Sequence, residues 1–481
     1  MLWACISFPH LALDGVLRQR ADASVPLVLI NGPLHARVLF DVNAAAARAG
    51  LRAGQPLTAA RALLSGFEAV PFDANEVEHR HRFLAAVAYR YSSEVALLPD
   101  AIVLEIGRSK SLFGPWEQLS QRLREDFSQL GFRHRLAAAS TPHAARALAE
   151  HADGDAILEA KDLRASLSRL PVLHAGLPEE TAAILMQMGL RTLGQVLDAP
   201  RDGLRRRFGN VLLQALDRLT GNAPDGLALY RPPDRFIQRI EFEPEIEDLS
   251  ALLFPLRRLT GDLAAYLSGR DGGVQRFAIE LEHRAHDSTR VQVGLLEPLR
   301  DPEVLFEFSR GRLENQRLRA PVRALRLRAD ELPPFVPAGR DLFDRRPAHA
   351  LTMTQLRERL RARLGDDAIY TLHDTVDPRP ERAQHNTISA FRLKGKAEHE
   401  DDAVVNETLP SRPTWLLEKP IPLRGPQPEL LAGPERLETG WWDGEPVRRD
   451  YYVARTAQGQ RAWIFCAAGG RGSWMLHGWF A

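Results

Sequence analysis

Asp100 stands at the mouth of an apolar run, Ala101-Ile102-Val103-Leu104-Glu105-Ile106, directly after Leu97-Leu98-Pro99. The pattern is a turn leading into a buried strand. An acid at the lip of such a strand can hold a divalent ion or polarise a substrate. An Asp beside Pro can also do no more than cap a turn. Its neighbours separate the two. A two-metal phosphoryl-transfer centre needs several carboxylates around ions about 3.5–4 Å apart. The residue beside Asp100 is Ala101, which ligates nothing, and the opening apolar strand at 2–8 carries no acid before Asp14. Asp14 and Asp41 are the acids that could complete a metal set of unusual geometry.

The remaining chemistry-bearing residues are basic. Arg205, Arg206 and Arg207 lie in a stretch that leads into a helix at 211–220, within a helical segment whose Gly189-centred turn exposes backbone N–H groups able to hold a phosphate. In the run Val322–Ala329, Leu325 and Leu327 face one side and Arg326 and Arg328 the other. Arg310, Arg312, Arg317, Arg319 and Arg323 are close by in sequence. A basic sheet face with an apolar back suits a phosphate backbone; a solvated face has the same pattern. Further on, Asp341, Leu342 and Phe343 form an apolar-anchored peptide in a Pro- and Gly-rich tether. Such a segment docks on a partner by ordering as it binds, or tucks back onto its own domain.

The chain that must position these groups has 481 residues, room for roughly three or four domains. A hydrophobic content of 44% and a charged content of 26% are those of a globular protein. Net charge is +1, so a nucleic-acid surface has to be local. The basic residues are almost all Arg, which a GC-rich coding sequence would produce and which also suits bidentate phosphate contact. Cys5 and Cys466 give neither a disulfide framework nor a zinc spacing. The expected location is cytoplasmic, with no signal peptide and no membrane span.

The expected fold class is α+β and multidomain. Strands at 2–8, 26–30 and 36–41, an Ala-rich helix after Asn43, helices at 57–64, 75–95 and 115–130, a strand at 133–139, and a helix through 150 with Thr141 as N-cap and Pro142 at its first position make a domain at 1–169. A helical module spans 170–225, a βαββαβ domain of ferredoxin-like layout spans 236–330, and a linker spans 331–349. The region 350–481 holds six of the eight tryptophans and reads as an antiparallel β module packed with Trp, with strands at 440–444, 449–454, 461–466 and 473–479.

This order of elements resembles the Y-family translesion DNA polymerases over about residues 1–345. The domains then correspond to palm and fingers, helical thumb and little finger. The stretches Arg412-Pro413-Thr414-Trp415-Leu416-Leu417 and Gly433-Pro434-Glu435-Arg436 through Trp441-Trp442-Asp443-Gly444 resemble the tail of a non-catalytic member of that family. Active members carry Asp-x-Asp on the first strand, a Tyr and an Arg on the Asn-led helix, and Asp-Glu on the later strand. The matching positions here are Ser7, Ala44, Ala47, Asp100 and Ala101.

The resemblance therefore implies a catalytically inactive palm with no resident metal or cofactor. An active polymerase with an atypical metal site is the alternative, and a protein-only adaptor a third. Gly339-Arg340-Asp341-Leu342-Phe343 resembles the bacterial sliding-clamp motif, usually Gln-x-Asp/Ser-Leu-Phe, with Gly339 replacing Gln. The implied partners are primer–template DNA, the sliding clamp, an error-prone replicative-type DNA polymerase and a RecA-like accessory protein, in damage-induced (SOS) translesion synthesis. The tail at 350–481 would serve protein contacts.

Overall fold

The computed structural model describes residues 1–335 apart from 21 and 23, then 356–357, 360–361, 368–388, 412–470 and 473–480. The chain divides into two compact units, Met1–Arg359 and Leu360–Ala481.

In the first unit the opening strand Trp3–Ser7 is buried at all five positions. It lies inside a four-stranded sheet ordered Val95–Leu98, Ala101–Glu105, Trp3–Ser7, Arg135–Ala139, and is antiparallel to both neighbours. The expected helix at 75–95 ends sooner, as Ala74–Ala88, because Val95–Leu98 is itself a strand. Leu97 and Leu98 thus belong to that strand, and Pro99-Asp100 is the two-residue turn of a hairpin in which Leu98 pairs with Ala101. Asp100 sits at φ 52, a left-handed conformation that Asp tolerates better than most residues.

Helix Trp116–Gln129 buries Trp116, Leu119, Leu123 and Phe127, a stripe at helical spacing. Helix Pro142–His151 starts as its sequence predicts, with Thr141 accepting from the Ala144 amide at 3.1 Å and Pro142 in the first turn. The fingers-like sheet is ordered Val38–Val42, Leu27–Asn31, Glu68–Pro71. Asn43 ties its strands to the short helix Ala44–Arg48. Its side chain accepts from the amides of Ala46 at 2.8 Å and Leu27 at 3.1 Å and donates to the Val25 carbonyl at 2.8 Å.

The thumb-like helices Glu179–Gln187, Leu193–Asp198 and Arg201–Thr220 share one apolar core with the palm sheet, running from Trp3 and Cys5 to Leu219. Thr192 and Gln195 form a reciprocal capping box on the second helix. The third starts earlier than predicted, at Arg201, and breaks at Gly209 (φ 70), where a second helical segment begins. The βαββαβ order is realised by Phe236–Ile246, Leu253–Gly269, Val274–Glu282, Thr289–Leu299, Pro302–Glu314 and Val322–Ala329. Its sheet is antiparallel, with the first and third strands at the edges and the fourth and second inside.

This domain is locked to the palm. All three guanidinium nitrogens of Arg18 donate, Nε to the Leu130 carbonyl at 2.8 Å and the other two to both oxygens of Asp262, on the helix Leu253–Gly269. Both side chains are buried, and the guanidinium also stacks over Phe132. On the same helix, Gly269 lies so close to helix Ala74–Ala88 that an added Cβ would stand 1.9 Å from the Ala86 carbonyl oxygen.

The second unit holds a five-stranded antiparallel sheet ordered Trp415–Pro422, Met475–Trp479, Arg461–Ala467, Val447–Arg455, Glu429–Thr439. Two of these strands, Trp415–Pro422 and Glu429–Thr439, are not expected from the sequence. The expected strand at 440–444 is instead the turn joining Glu429–Thr439 to Val447–Arg455. Tryptophan packs the sheet only in part: Trp463 is buried and stacks on Tyr451 at 4.0 Å, whereas Trp415, Trp441 and Trp442 are exposed. His477 is fully buried in this stack. Tyr451 Oη donates to its Nδ1 at 2.8 Å and accepts from Arg449 at 2.9 Å. His477 Nε2 has no hydrogen-bond partner among the described residues, the Glu381 carboxylate being 3.8 Å away. Among the described residues no helix is long and apolar enough to cross a membrane.

Candidate active site and nucleic-acid interface

The register of the palm sheet brings three of the five candidate positions together. Ser7 ends its strand opposite Ala101 on one side and Arg135 on the other. The Phe8 amide then donates to the Asp100 carbonyl at 2.9 Å. Ser7 and Ala101 are buried, so this end of the sheet is lined by a hydroxyl and a methyl, with one carboxyl at its rim. Phe8 turns inward onto Phe127 and Phe132, edge to face. Ala44 and Ala47 are exposed one helical turn apart on Ala44–Arg48 and offer no donor. Arg48, the nearest cation, bends back to the carbonyl of Ala44 at 3.2 Å.

The other acids are occupied. Asp14 is buried and accepts from the Arg133 backbone amide and Nε, both at 2.8 Å. Asp41 binds His10 Nδ1 at 2.7 Å and its own neighbour's amide, Val42, at 2.8 Å. Glu105, at the far end of its strand, is buried and takes the amides of Leu2, Gly107 and Arg108 at 3.0–3.2 Å. It is a loop anchor. Among the described residues no three His, Cys, Asp or Glu side chains come together as a metal site.

Two residues that the sequence did not single out border this end of the sheet. His10 reaches across to the fingers-like sheet through Asp41. His81, on Ala74–Ala88, donates Nε2–H to the Ala101 carbonyl at 2.9 Å, and burial holds its pKa below the usual histidine value despite that bond. Histidines two or three residues from apolar helix positions give no sequence signal for either role.

The basic residues divide into paired and unpaired. Arg326 bonds Glu282 at 2.6 Å and approaches Glu280 at 3.7 Å, and Arg328 holds Asp330 at 2.8 Å. On the same face Arg239 and Arg323 share Glu241. The expected apolar back is present, with Leu325, Leu327, Ile279 and Leu281 fully buried, but the open face alternates in sign and is not basic. In the thumb-like helix Arg205, Arg206 and Arg207 are all exposed beside the Gly209 break. Arg205 lies 3.9 Å from Asp202, and Arg206 and Arg207 have no ion pair among the described residues. Asp341, Leu342 and Phe343 lie outside the described residues.

Residues 16–150 match the impB/mucB/samB family. Protein ImuB of Caulobacter vibrioides, from two strains, is 27% identical over 460 residues, 90% of this chain and 100% of the relative. The chain is ImuB-like along nine tenths of its length. Solved structures of Dbh in a ternary complex and of DinB from Sulfolobus solfataricus are 13% and 14% identical. Each covers 70% of this chain and 100% of its own, with TM-scores of 0.39 and 0.38. The likeness to Protein ImuB covers more of the chain than the family match at 16–150 does.

Proposed function

We propose that the chain is a catalytically inactive, Y-family-like scaffold acting in the cytoplasm. It binds primer–template DNA and the sliding clamp, and brings an error-prone replicative-type polymerase and a RecA-like partner to lesions in the SOS response. The observation that carries the inactive reading is the pairing of Ser7 with Ala101 beside Asp100. One carboxyl cannot hold two Mg²⁺ ions, and phosphoryl transfer depends on those ions and on the grip on the triphosphate that Ala44 and Ala47 cannot supply. Primer extension with Mg²⁺ or Mn²⁺ tests it. No template-directed addition of dNTP is expected; addition that disappears in Asp100→Ala would mean a working enzyme with an atypical metal site.

The clamp contact rests on Asp341-Leu342-Phe343. Leu342→Ala with Phe343→Ala is expected to weaken clamp binding by more than tenfold, on the scale of about 2 kcal/mol for a buried interface anchor, and to leave DNA binding unchanged. Unchanged clamp affinity in a pull-down or titration would remove the docking-peptide assignment. The ion-paired face around Arg326 favours a second reading, an adaptor that acts through proteins alone. DNA binding absent at low salt, or independent of salt, would select it.

A further inference from the structure

Arg317 and Arg319, two arginines of the little-finger-like domain, lie at one end of its sheet. There the hairpin loop between Val274–Glu282 and Thr289–Leu299 meets the loop that leads into Val322–Ala329, and the two enclose a notch of about 1210 Å³. His283 fixes the walls to one another, its Nδ1 bonded to the Pro321 carbonyl at 2.9 Å and its Nε2 to Thr289 Oγ1 at 3.0 Å. Arg284, Arg290, Arg317 and Arg319 line the notch, and Asp287 is its only carboxylate. Arg317 and Arg319 are exposed and have no ion pair among the described residues. Arg284 is 79% exposed, with Glu245 at 3.4 Å as its ion-pair partner among the described residues, and Arg290 lies 3.8 Å from Glu280. Every arginine named above on the open sheet face has a carboxylate, and Arg317 and Arg319 are the notch arginines that differ from it.

We propose that this notch, and not the open sheet face, is where the domain grips the phosphate backbone of nucleic acid. The inference rests on the DNA-binding part of the proposed function and locates it. A phosphate approaching Arg326 must first displace Glu282, whereas one approaching Arg317 or Arg319 displaces only water and counterions. The volume accommodates a length of backbone, not a single ion.

The test titrates the full chain, Arg317→Gln/Arg319→Gln and Arg326→Gln/Arg328→Gln with fluorescent primer–template DNA between about 50 and 200 mM salt. The four side chains are at least partly exposed, and circular dichroism verifies that each variant keeps the fold. Loss of the notch pair is expected to lower affinity at least about tenfold near 0.1 M salt and to reduce the slope of log K against log salt by about two contacts, ~1.8. The sheet-face pair should change affinity less than about threefold, since its charges are already neutralised. Unchanged binding in the notch variant, with salt-dependent binding by the unmodified chain, overturns the notch and leaves the scaffold reading intact. Absence of salt-dependent binding by the unmodified chain overturns the DNA-binding reading itself, and the notch with it.

Discussion

Arg18 and His477 each anchor a buried polar cluster that joins segments far apart in the chain, one in each compact unit. Around Arg18 all three nitrogens have acceptors, and Asp262 faces it through both oxygens. Around His477 the bonds run from side chain to side chain, Arg449 to Tyr451 to His477, and end at an Nε2 that has no partner among the described residues. The first cluster joins two domains through a guanidinium and a carboxylate that satisfy one another. The second holds the centre of a sheet through an imidazole, the side chain that changes charge in mild acid.

The largest effect should come from breaking the first cluster. Arg18→Ala leaves Asp262 buried and unpaired, at a cost of about 3–5 kcal/mol. Urea unfolding of the full chain measures it, and Arg18→Met with Asp262→Leu should restore most of the loss. A cost under about 1 kcal/mol would mean that water reaches the pair and that it does not fasten the domains. A smaller effect separates the clusters by pH. Burial holds the His477 pKa below its usual value. Its contribution is therefore complete above the unfolded value of about 6.5 and is lost as pH falls through the lower folded value. The melting temperature of the second unit should drop between pH 7 and pH 5, and His477→Phe should lessen that drop. The same drop in the variant would assign it elsewhere. His81, His134 and His143 are also held low by burial, so the first unit keeps an acid-sensitive component of its own.

Much of the palm was legible because its signals are local. The buried run 2–8, the Thr141-Pro142 helix start and the Asn43 cap are each written within a few residues. So was the juxtaposition of Ser7 with Asp100-Ala101, although only through resemblance to a family, since no periodicity reveals a strand's partner. The pairing of Arg326 with Glu282 was not legible. It depends on strand neighbours more than forty residues apart, and an Arg-rich run looks basic until its neighbour is known. Arg18 and Asp262 are 244 residues apart and carry no local mark at all. Trp441 and Trp442 misled for a different reason. Aromatic residues suggest a strand, but Gly440 and Gly444, both at positive φ, make the segment a turn and leave the rings in solvent.

The contact of Gly269 with Ala86 has a consequence for how the chain can diverge. A single methyl at position 269 would act as a wedge between the palm and the little-finger-like domain, with no residue of the proposed notch or of the thumb-like helix altered. Relative domain pose and ligand contact are therefore separately mutable. The pose hangs on one hydrogen atom's width, and a lineage that acquired a side chain there would have to find another arrangement of its domains before it changed anything that touches a partner.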